Sequence, residues 1–283
     1  MNELEKVCAV IVTYNCTEFI LDNIDSLKNQ VDHIVVVDNA SNKVSRKILA
    51  DMPSDCSITI INNEHNMGLG YALNQGLEFA KLNNFKFILT MDQDSVLCEN
   101  AVSSMIAVLS RDSTVGSVGP NYEFDKSMCD ESHYYKVQYL ITSGNLSYVD
   151  SIILAGGFNA DLFIDSIDFD FSLALQDKGQ QLAKVQNAYM RHKIGEKEQA
   201  KFLFKTFTIL SHSPVRYYYM YRNHVYIMKK YFLKNPTFCI KKQIFATIDL
   251  LQVIFVQNQS KEKISMILKG VKDGFKNRLG PIS

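Results

Sequence analysis

The sequence lacks any pair of cysteines spaced as C-x-x-C, the spacing that is typical of zinc sites and redox motifs. Its six cysteines are scattered, and several lie in apolar runs, where cysteine behaves as a small hydrophobic residue. This distribution argues against a disulfide framework and against a zinc site. We therefore predict reduced thiols and a cytoplasmic setting. The cysteines are Cys8, Cys16, Cys56, Cys98, Cys129 and Cys239.

Long hydrophobic runs are missing as well. No uninterrupted apolar run reaches the roughly 18–20 residues that a membrane-spanning helix needs. The stretch Met1–Lys6 is polar and acidic, so we expect no signal peptide before the first strand. The sequence thus predicts a soluble or peripheral protein.

Two glycine-rich phosphate-binding motifs are also absent. No G-x-G-x-x-G follows the first predicted strand, which excludes the usual dinucleotide site, and no G-x-x-x-x-G-K-[ST] occurs, which excludes a P-loop. The 283 residues are 47% hydrophobic and 21% charged, which is ordinary for a globular chain. This length suits one large α/β domain, alone or with a helical appendage.

The net charge of zero conceals an uneven distribution. From Tyr221 to Ser283 there are twelve Lys or Arg residues against three acids, whereas the preceding 220 residues carry eighteen basic and twenty-seven acidic residues. An acidic front and a basic tail predict different partners for the two parts. No nucleic-acid partner is expected.

Short apolar runs alternate with segments of helical spacing in the first part of the chain. This alternation predicts an α/β fold with a mostly parallel central sheet and helices on both faces. The predicted strands are 7–14, 33–39, 57–61 and the run that begins at Phe85, and the predicted helices are 15–30, 42–51, 71–82 and 99–110.

The middle of the chain is less regular. Short strands are predicted at 115–119, 137–142 and 151–154, followed by a helix over 168–178 that Gly179 ends. Beyond Ala200 the sequence becomes aromatic and is predicted to be helical. We place a domain boundary here, with 1–200 as the α/β domain and 201–283 as a basic, aromatic helical region.

Four polar motifs stand where predicted strands end or a helix begins. In an open α/β sheet, ligands bind at the carboxyl ends of the strands, and a helix N-terminus favours an anion. A helix cap, a turn or a permissive loop would explain any one motif by itself. Together and in this order they predict a cleft for a nucleoside diphosphate with a metal ion. The motifs are Thr13-Tyr14-Asn15, Asp38-Asn39, Asn66-Met67-Gly68 and Asp92-Gln93-Asp94.

Asp92 and Asp94 carry the metal prediction. In extended chain, residues two apart point the same way, so both carboxylates can converge on one hard cation such as Mg²⁺ or Mn²⁺. Mg²⁺ is typically held by one or two carboxylates together with substrate phosphates. The alternative for this pair alone is an Asp-rich turn that ends a strand.

With these motifs in place, the chain resembles family 2 glycosyltransferases of the GT-A (Rossmann-like) fold, and within them the bacterial rhamnosyltransferases. The resemblance extends from Val7 to the region of residue 230. Besides the strand-end motifs it rests on Ser143-Gly144-Asn145, Gly156-Gly157-Phe158, the stretch from Asp165 to Asp170, His192 with Gly195-Glu196, and Tyr221-Arg222-Asn223.

The resemblance implies roles for individual residues. Asp92 and Asp94 match the family's D-x-D motif for metal and diphosphate, and His192 resembles a histidine that completes the metal site. Thr13, Tyr14, Asp38 and Asn66 correspond to the base and ribose site. The full set of predicted donor-binding residues is Thr13, Tyr14, Asn15, Asp38, Asn39, Asn66, Gly68, Asp92 and Gln93.

Asp168 matches the aspartate of the family's Glu-Asp catalytic-base motif. A carboxylate at the start of a helix is stabilised as an anion by the helix dipole, which suits it to accept a proton from an acceptor hydroxyl. The glutamate that precedes it in the family is replaced here by Ile167, so Asp165 and Asp170 remain alternatives. A helix cap is the structural alternative for Asp168.

The implied activity is an inverting transfer of L-rhamnose from dTDP-L-rhamnose to a lipid-linked cell-surface polysaccharide of the O-antigen or capsule type. A UDP-hexose donor is an alternative within the same fold. A nucleotidyltransferase or a non-catalytic nucleotide-sugar binder is the alternative from another class. A nucleotidyltransferase usually has a basic glycine-rich loop after the first strand, and the stretch 13–18 lacks a basic residue.

The composition of the basic tail suggests several possible roles. Lysines alternate there with Ile, Leu, Phe and Met at helical spacing, which suits a helix lying on an anionic membrane surface. The same composition suits a lipid-pyrophosphate acceptor or a homodimer interface. We favour a position at the inner face of the cell membrane.

Overall fold

The computed structural model describes residues 5–52, 57–122, 134–192, 197–202 and 205–282, and within 192–210 it describes the backbone alone. Cys56, Cys129 and Gly195-Glu196 fall outside these ranges. The chain divides into two compact units. Unit 1 comprises Met1–Ala160 with Ile167–Lys193, and unit 2 comprises Asp161–Ser166 with Ile194–Ser283.

Unit 1 begins with alternating strands and helices, as the sequence predicts. The strands are β1 (Val7–Thr13), β2 (His33–Asp38), β3 (Ile58–Asn62), β4 (Phe87–Asp92) and β5 (Ser95–Leu97). The helices are α1 (Phe19–Leu27), α2 (Lys43–Ala50), α3 (Leu69–Leu82) and α4 (Ala101–Arg111). The predicted first helix begins later than residue 15 because Asn15 is left-handed, with φ of 53°.

The rest of unit 1 holds β6 (Val115–Asn121), β7 (Tyr134–Val137), β8 (Asn145–Tyr148), α5 (Val149–Ala155), α6 (Ile167–Asp177) and β9 (Gln181–His192). Two strand predictions are wrong here. Residues 151–154 lie in α5, which ends at the left-handed Gly156, and the predicted strand 137–142 is replaced by β7 followed by an irregular stretch. The long strand β9 was not predicted.

The described strands of unit 1 form one mixed sheet in the order β3-β2-β1-β4-β8-β6-β9-β5, with β7 paired to β9. β3, β2, β1 and β4 run parallel, while β8 is antiparallel to both β4 and β6. The predicted α/β fold with a central sheet flanked by helices is confirmed. The parallel part is the part that places the strand-end motifs at a common edge.

A buried apolar core joins this sheet to its helices. Alternate residues of the central strands, such as Ile11, Val36 and Leu89, are buried against Ile24 of α1 and Met105 of α4. The intervening strand residues are buried too, so β1 and β2 are apolar on both faces. This is the pattern expected of parallel strands covered by helices on both sides.

Unit 2 is helical beyond a two-stranded antiparallel hairpin of β10 (Lys197–Phe202) and β11 (Lys205–Leu210). The helices are α7 (Pro214–Tyr231), α8 (Pro236–Phe255) and α9 (Ser260–Phe275). The C-terminal helical extension is confirmed, whereas the prediction that it starts right after Ala200 missed the hairpin. Within the described residues, none of the helices is both apolar enough and long enough to span a bilayer.

The aromatic run of α7 forms the core of unit 2. Tyr217 and Tyr221 pack with Val253 of α8 and Ile267 of α9. The Tyr221 hydroxyl donates to the carboxylate of Asp249, and the Tyr217 hydroxyl lies 2.9 Å from Oε1 of Gln257. The prediction that this run serves packing agrees with its burial.

Candidate active site

The ends of β1 and β2 are tied together by their last side chains. Thr13 and Asp38 are paired in register, and Thr13 Oγ1 donates to Asp38 Oδ1 at 3.1 Å. Both side chains are fully buried. Asp38 Oδ2 also accepts from the Ser41 amide and lies 3.5 Å from Arg46 Nε. Thr13 and Asp38 therefore form a buried, hydrogen-bonded pair at the carboxyl ends of β1 and β2.

The residues that follow Thr13 are more accessible. Tyr14 is 50% exposed, and Asn15 is exposed in its left-handed conformation. Asn15 is fixed from both sides, since its amide donates to Ser41 Oγ at 2.8 Å and its Oδ1 accepts from the Asn42 amide at 2.9 Å. These bonds hold the loop after β1 against the loop after β2.

Asn39 links the loop after β2 to the start of α3. Its Nδ2 donates to Asn66 Oδ1 at 2.9 Å, and its Oδ1 accepts from the Met67 amide at 2.9 Å. The Gly68 amide donates to the same Asn66 oxygen at 3.0 Å. The predicted motifs at 38–39 and 66–68 are thus brought together at the N-terminus of a helix, where an anion is favoured.

Gln93 joins the D-x-D segment to β1. Its Oε1 accepts from the Tyr14 amide at 2.9 Å, and its Nε2 donates to the Tyr14 carbonyl at 3.4 Å. Asp92 is the last residue of β4, and Asp94 lies between β4 and β5. Both aspartates are partly exposed. The structure therefore brings the predicted donor-binding residues to one edge of the sheet.

The backbone of Asp92 is held by the side chains of Asn23 and Ser143, to which sequence reasoning gave no role. Asn23 Nδ2 donates to the Asp92 carbonyl at 2.6 Å, and the Asp92 amide donates to Ser143 Oγ at 3.1 Å. Ser143 Oγ in turn donates to Ser95 Oγ at 2.8 Å. One signal for Asn23 was available, because an asparagine on the apolar face of α1 needs a buried partner.

His192 reaches the same region through its backbone. It is the last residue of β9 and the antiparallel partner of Ser95, the residue directly after Asp94. Its side chain lies outside the described residues. Where side chains are described, no group of three or more His, Cys, Asp or Glu residues is arranged to hold a metal ion.

Asp168 lies in the first turn of α6, and its Oδ1 accepts from the amide of Phe169. Its carboxylate is partly exposed, and the Phe169 ring packs edge-on against Tyr139 at 4.9 Å between centroids. The two alternative acids are bound elsewhere. Asp170 is buried and accepts from Asn159 Nδ2, and Asp165, in unit 2, pairs with Arg216 at 3.1 Å.

The pKa of Tyr122 is affected by its burial and by the charges of both Asp168 and Asp92. Burial raises the pKa of the Tyr122 hydroxyl above its usual value, and the negative charges of Asp168 and Asp92 raise this pKa further. The Lys184 ammonium lies 4.0 Å from the centre of the Tyr122 ring, and burial lowers the pKa of that lysine. The charges of Asp92 and Asp168 thus both affect the pKa of Tyr122, after the larger effect of its burial.

Comparison with known proteins shows the family to which the chain belongs. The family model described as "Glycosyl transferase family 2" matches residues 8–150, half of the chain and the part that carries the strand-end motifs. The chain belongs to glycosyl transferase family 2. The predicted family is confirmed.

A relative that aligns over nearly the whole family 2 chain is the dTDP-rhamnosyl transferase RfbF of Shigella flexneri. It is 26% identical over 302 aligned positions, which cover 97% of each protein. The chain is thus rhamnosyltransferase-like, as predicted.

Solved structures agree on the fold. A mannosyltransferase of Pyrobaculum calidifontis in complex with GDP-Man and Mn²⁺ superposes with a TM-score of 0.62 at 13% identity, covering 98% of this chain and 89% of that one. The structure of GalNAc-T7 with UDP, GalNAc and Mn²⁺ superposes with a TM-score of 0.65 at 15% identity. The superposition covers 98% of this chain and 57% of the GalNAc-T7 chain. The predicted GT-A fold is confirmed.

The donor atoms at the end of β4 suit a divalent cation. Asp92 and Asp94 offer hard carboxylate oxygens that are partly exposed, next to the backbone position of His192. Two protein carboxylates with substrate phosphates and water are the usual surroundings of Mg²⁺, and Mn²⁺ accepts the same ligands. This arrangement fits a cation that is shared with a diphosphate better than one enclosed by protein alone.

Proposed function

We propose that this family 2 glycosyltransferase moves L-rhamnose from dTDP-L-rhamnose to a saccharide acceptor with inversion at the anomeric carbon. The observation that supports it most is that unit 1 carries both a partly exposed D-x-D segment at the end of β4, beside the other strand-end motifs, and a partly exposed Asp168 at the start of α6. The full-length similarity to a dTDP-rhamnosyl transferase supports the choice of sugar.

In this proposal Asp168 accepts the proton of the acceptor hydroxyl. The acceptor oxygen then forms its bond to the anomeric carbon as the bond from that carbon to the diphosphate breaks. The helix N-terminus of α6 stabilises the anionic form of Asp168 before the reaction. A divalent cation held by Asp92 and Asp94, with His192, would neutralise the charge that develops on the leaving diphosphate.

The remaining predicted residues hold the donor. The loops that carry Tyr14, Asn15 and Asn39 would contact the base and ribose, above the buried pair of Thr13 and Asp38. The helix N-terminus at Gly68 would favour the negatively charged part of the donor. The hydrogen bonds among these loops would keep the cleft formed before the donor arrives.

We further propose that the acceptor is lipid-linked and that the enzyme acts in the cytoplasm, at the inner face of the membrane. Cys8, Cys16, Cys98 and Cys239 carry free thiols, which supports a reducing compartment. The basic surplus of the tail supports an anionic lipid or pyrophosphate nearby.

A donor panel tests this function. Purified protein is given dTDP-rhamnose, UDP-glucose, UDP-galactose and GDP-mannose, with Mn²⁺ or with chelator, and release of nucleoside diphosphate is measured. We expect turnover with dTDP-rhamnose that needs the cation. Turnover with a UDP-hexose alone would identify the same-fold alternative, and no turnover of any donor by wild type would reject the enzyme.

Variants of the acids separate the roles. Asp168→Asn is expected to lower kcat by at least about 100-fold while the affinity for dTDP measured by calorimetry is kept. Asp92→Asn and Asp94→Asn are expected to lose the metal-dependent part of dTDP binding. Glu99→Gln, which changes an exposed acid outside the site, serves as the control. If Asp165→Asn or Asp170→Asn alone removes turnover while Asp168→Asn retains it, the base is misassigned.

A further inference from the structure

Helix α8 of unit 2 carries an apolar stripe on its exposed side. Five of its residues recur at intervals of three or four, so that they lie on one face of the helix. Their exposed fractions are 52% for Ile240, 54% for Ile244, 47% for Ile248, 49% for Leu251 and 64% for Phe255. Core residues of comparable type in the same helix, such as Val253, are fully buried.

The stripe continues beyond these five residues. Phe245 and Ile254 flank it with exposed fractions of 66% and 42%, and Leu233, in the turn before α8, is 94% exposed. From Ile240 to Phe255 the stripe is about 22 Å long at the usual helical rise. Single exposed apolar side chains are ordinary on a protein surface, whereas this row continues along about four turns of one helix face.

The exposed charges of the helical part of unit 2 are almost all positive. The helix itself has two lysines, Lys241 and Lys242, and one acid, Asp249. Asp249 is turned inward, since its carboxylate accepts from the Tyr221 hydroxyl at 3.1 Å. Exposed basic side chains outnumber exposed acids by nine to one between residues 217 and 282, where side chains are described. They are Lys229, Lys230, Lys234, Lys241, Lys261, Lys269, Lys272, Lys276 and Arg278, against Glu262.

The size of the stripe argues against a second copy of the chain as its occupant. A helix face about 22 Å long and about 10 Å wide presents roughly 220 Å². A stable dimer buries about 800 Å² on each partner. A bilayer has no such minimum, because each apolar side chain that enters the interface contributes separately, and each nearby lysine gains from anionic headgroups.

We propose that the exposed face of α8 is a membrane-docking surface that lies on an anionic bilayer. The stripe residues enter the boundary between headgroups and acyl chains, Lys241 and Lys242 of the same helix contact the anionic headgroups, and the other exposed lysines of unit 2 add attraction to the anionic surface. This surface lies wholly in unit 2; its proposed role rests on the proposed position of the enzyme at the inner face of the membrane and does not depend on which sugar is transferred.

The absence of tryptophan from the natural sequence gives a direct probe. In full-length Phe245→Trp the introduced indole is the only one, and its emission is expected to shift to shorter wavelength on addition of vesicles of phosphatidylethanolamine with phosphatidylglycerol. Leu82→Trp, at a residue that is 70% exposed in unit 1, is expected to show no shift. Vesicles of phosphatidylcholine alone are expected to bind much more weakly.

Sedimentation with the same vesicles tests the stripe and the charge separately. The double variant Ile244→Gln, Ile248→Gln is expected to lower the partition coefficient at least about tenfold. Lys241→Gln is expected to lower it about fivefold. The control is Val44→Gln, Leu82→Gln, which removes two apolar side chains elsewhere that are even more exposed, at 71% and 70%, and is expected to leave binding unchanged.

Two results would overturn the proposal. One is equal sedimentation of wild type and the Ile244, Ile248 double variant, with both proteins folded by circular dichroism. The other is a concentration-dependent dimer that this double variant abolishes, with no vesicle binding by wild type, which would identify a second copy as the occupant. Donor turnover without vesicles is expected to be the same in wild type and the double variant, so failure here is distinct from failure of the proposed catalytic function.

Discussion

Gln93 makes with Tyr14 the pair of hydrogen bonds that a neighbouring strand would make. The Tyr14 amide donates to Oε1 at 2.9 Å, and Nε2 donates back to the Tyr14 carbonyl at 3.4 Å. The residue between the two aspartates that are proposed to hold the metal ion thereby fixes the loop that is proposed to hold the nucleoside. The middle position of D-x-D is therefore a structural part of the proposed donor site in this chain.

Gln93→Ala is expected to weaken dTDP binding in the presence of Mn²⁺ roughly fivefold, because the loss of this contact is worth about 1 kcal/mol. Calorimetric titration measures it. Gln93→Glu keeps an acceptor for the Tyr14 amide but loses the donor, so we expect an intermediate affinity. An unchanged dissociation constant in Gln93→Ala would show that the Tyr14 loop does not depend on this contact.

Thr13→Val is expected to lower the free energy of unfolding by about 1–3 kcal/mol, because the buried Asp38 carboxylate loses a donor while the shape of the side chain is kept. Urea unfolding followed by circular dichroism measures it. Thr13→Ser retains the hydroxyl and serves as the control, with a smaller expected loss. Equal stability of the valine variant and wild type would contradict the structural role of this pair.

Gly70→Ala is expected to destabilise unit 1 by about 2–3 kcal/mol through overpacking. A Cβ at this position would lie 2.6 Å from the Asn159 carbonyl oxygen, and backbone atoms would have to move. Gly156→Ala is the comparison, because its Cβ would meet open space and only the φ of 95° opposes it. That strain costs about 1 kcal/mol. The reverse order of the two melting temperatures would argue against the close approach of α3 to residue 159.

Asn223→Ala is expected to loosen the segment Asp161–Ser166. Asn223 Nδ2 donates to the carbonyl oxygens of Leu162, Ile164 and Asp165 at 2.7–3.0 Å, in a segment where Phe163, Asp165 and Ser166 are left-handed. Hydrogen exchange of peptides from this segment is expected to accelerate at least about tenfold, since a lost buried donor costs about 1–3 kcal/mol.

The control for this position is Asn223→Asp. In the wild type, Arg222 Nε donates to Asn223 Oδ1 at 2.9 Å, and the aspartate variant keeps this acceptor. The variant replaces the Nδ2 donor with a negatively charged oxygen, which faces the three backbone carbonyl oxygens and is repelled by them. We expect exchange at least as fast as in the alanine variant. Wild-type exchange rates in both variants would contradict the role of Asn223.

Asp249→Asn is expected to change the pH dependence of stability. Burial raises the pKa of Asp249 in the folded protein, although Tyr221 and Tyr217 donate to it and oppose the shift. The folded state therefore holds this proton more tightly, and stability is lost as the pH rises from the ordinary aspartate pKa of about 3.9 through the raised value. The asparagine variant has no such loss, so its stability relative to wild type should improve between pH 3 and pH 7 in urea unfolding. A pH-independent difference would contradict the raised pKa.

The strand ends of unit 1 were predictable because their signals are local. A short apolar run followed by polar residues marks β1, β2 and β4 at Thr13, Asp38 and Asp92 without any knowledge of distant pairing. The order of these runs then implies that parallel strands bring their ends to one edge. The site residues found in this way still stand as predictions of role.

Other features depend on contacts between distant residues. The pairing of His192 with Ser95 depends on β9 lying antiparallel to β5, and no short pattern in the sequence predicts that pairing. Residues 151–154 have a composition typical of a strand, but they lie in α5, which follows β8 directly. The apolar run alone does not separate a short strand from a buried helix, and Gly156 was the available sign of a helix end.

The six residues Asp161–Ser166 belong to unit 2, although the chain on both sides of them belongs to unit 1. Carbonyl groups of this segment accept hydrogen bonds from Arg222 and Asn223 of α7. The two units are therefore interlaced along the chain, and neither is a contiguous module. A chimera that joins relatives at a single junction near residue 200 would combine a segment from one parent with a helix from the other. Recombination, in the laboratory or in evolution, is expected to preserve this segment and α7 as a pair.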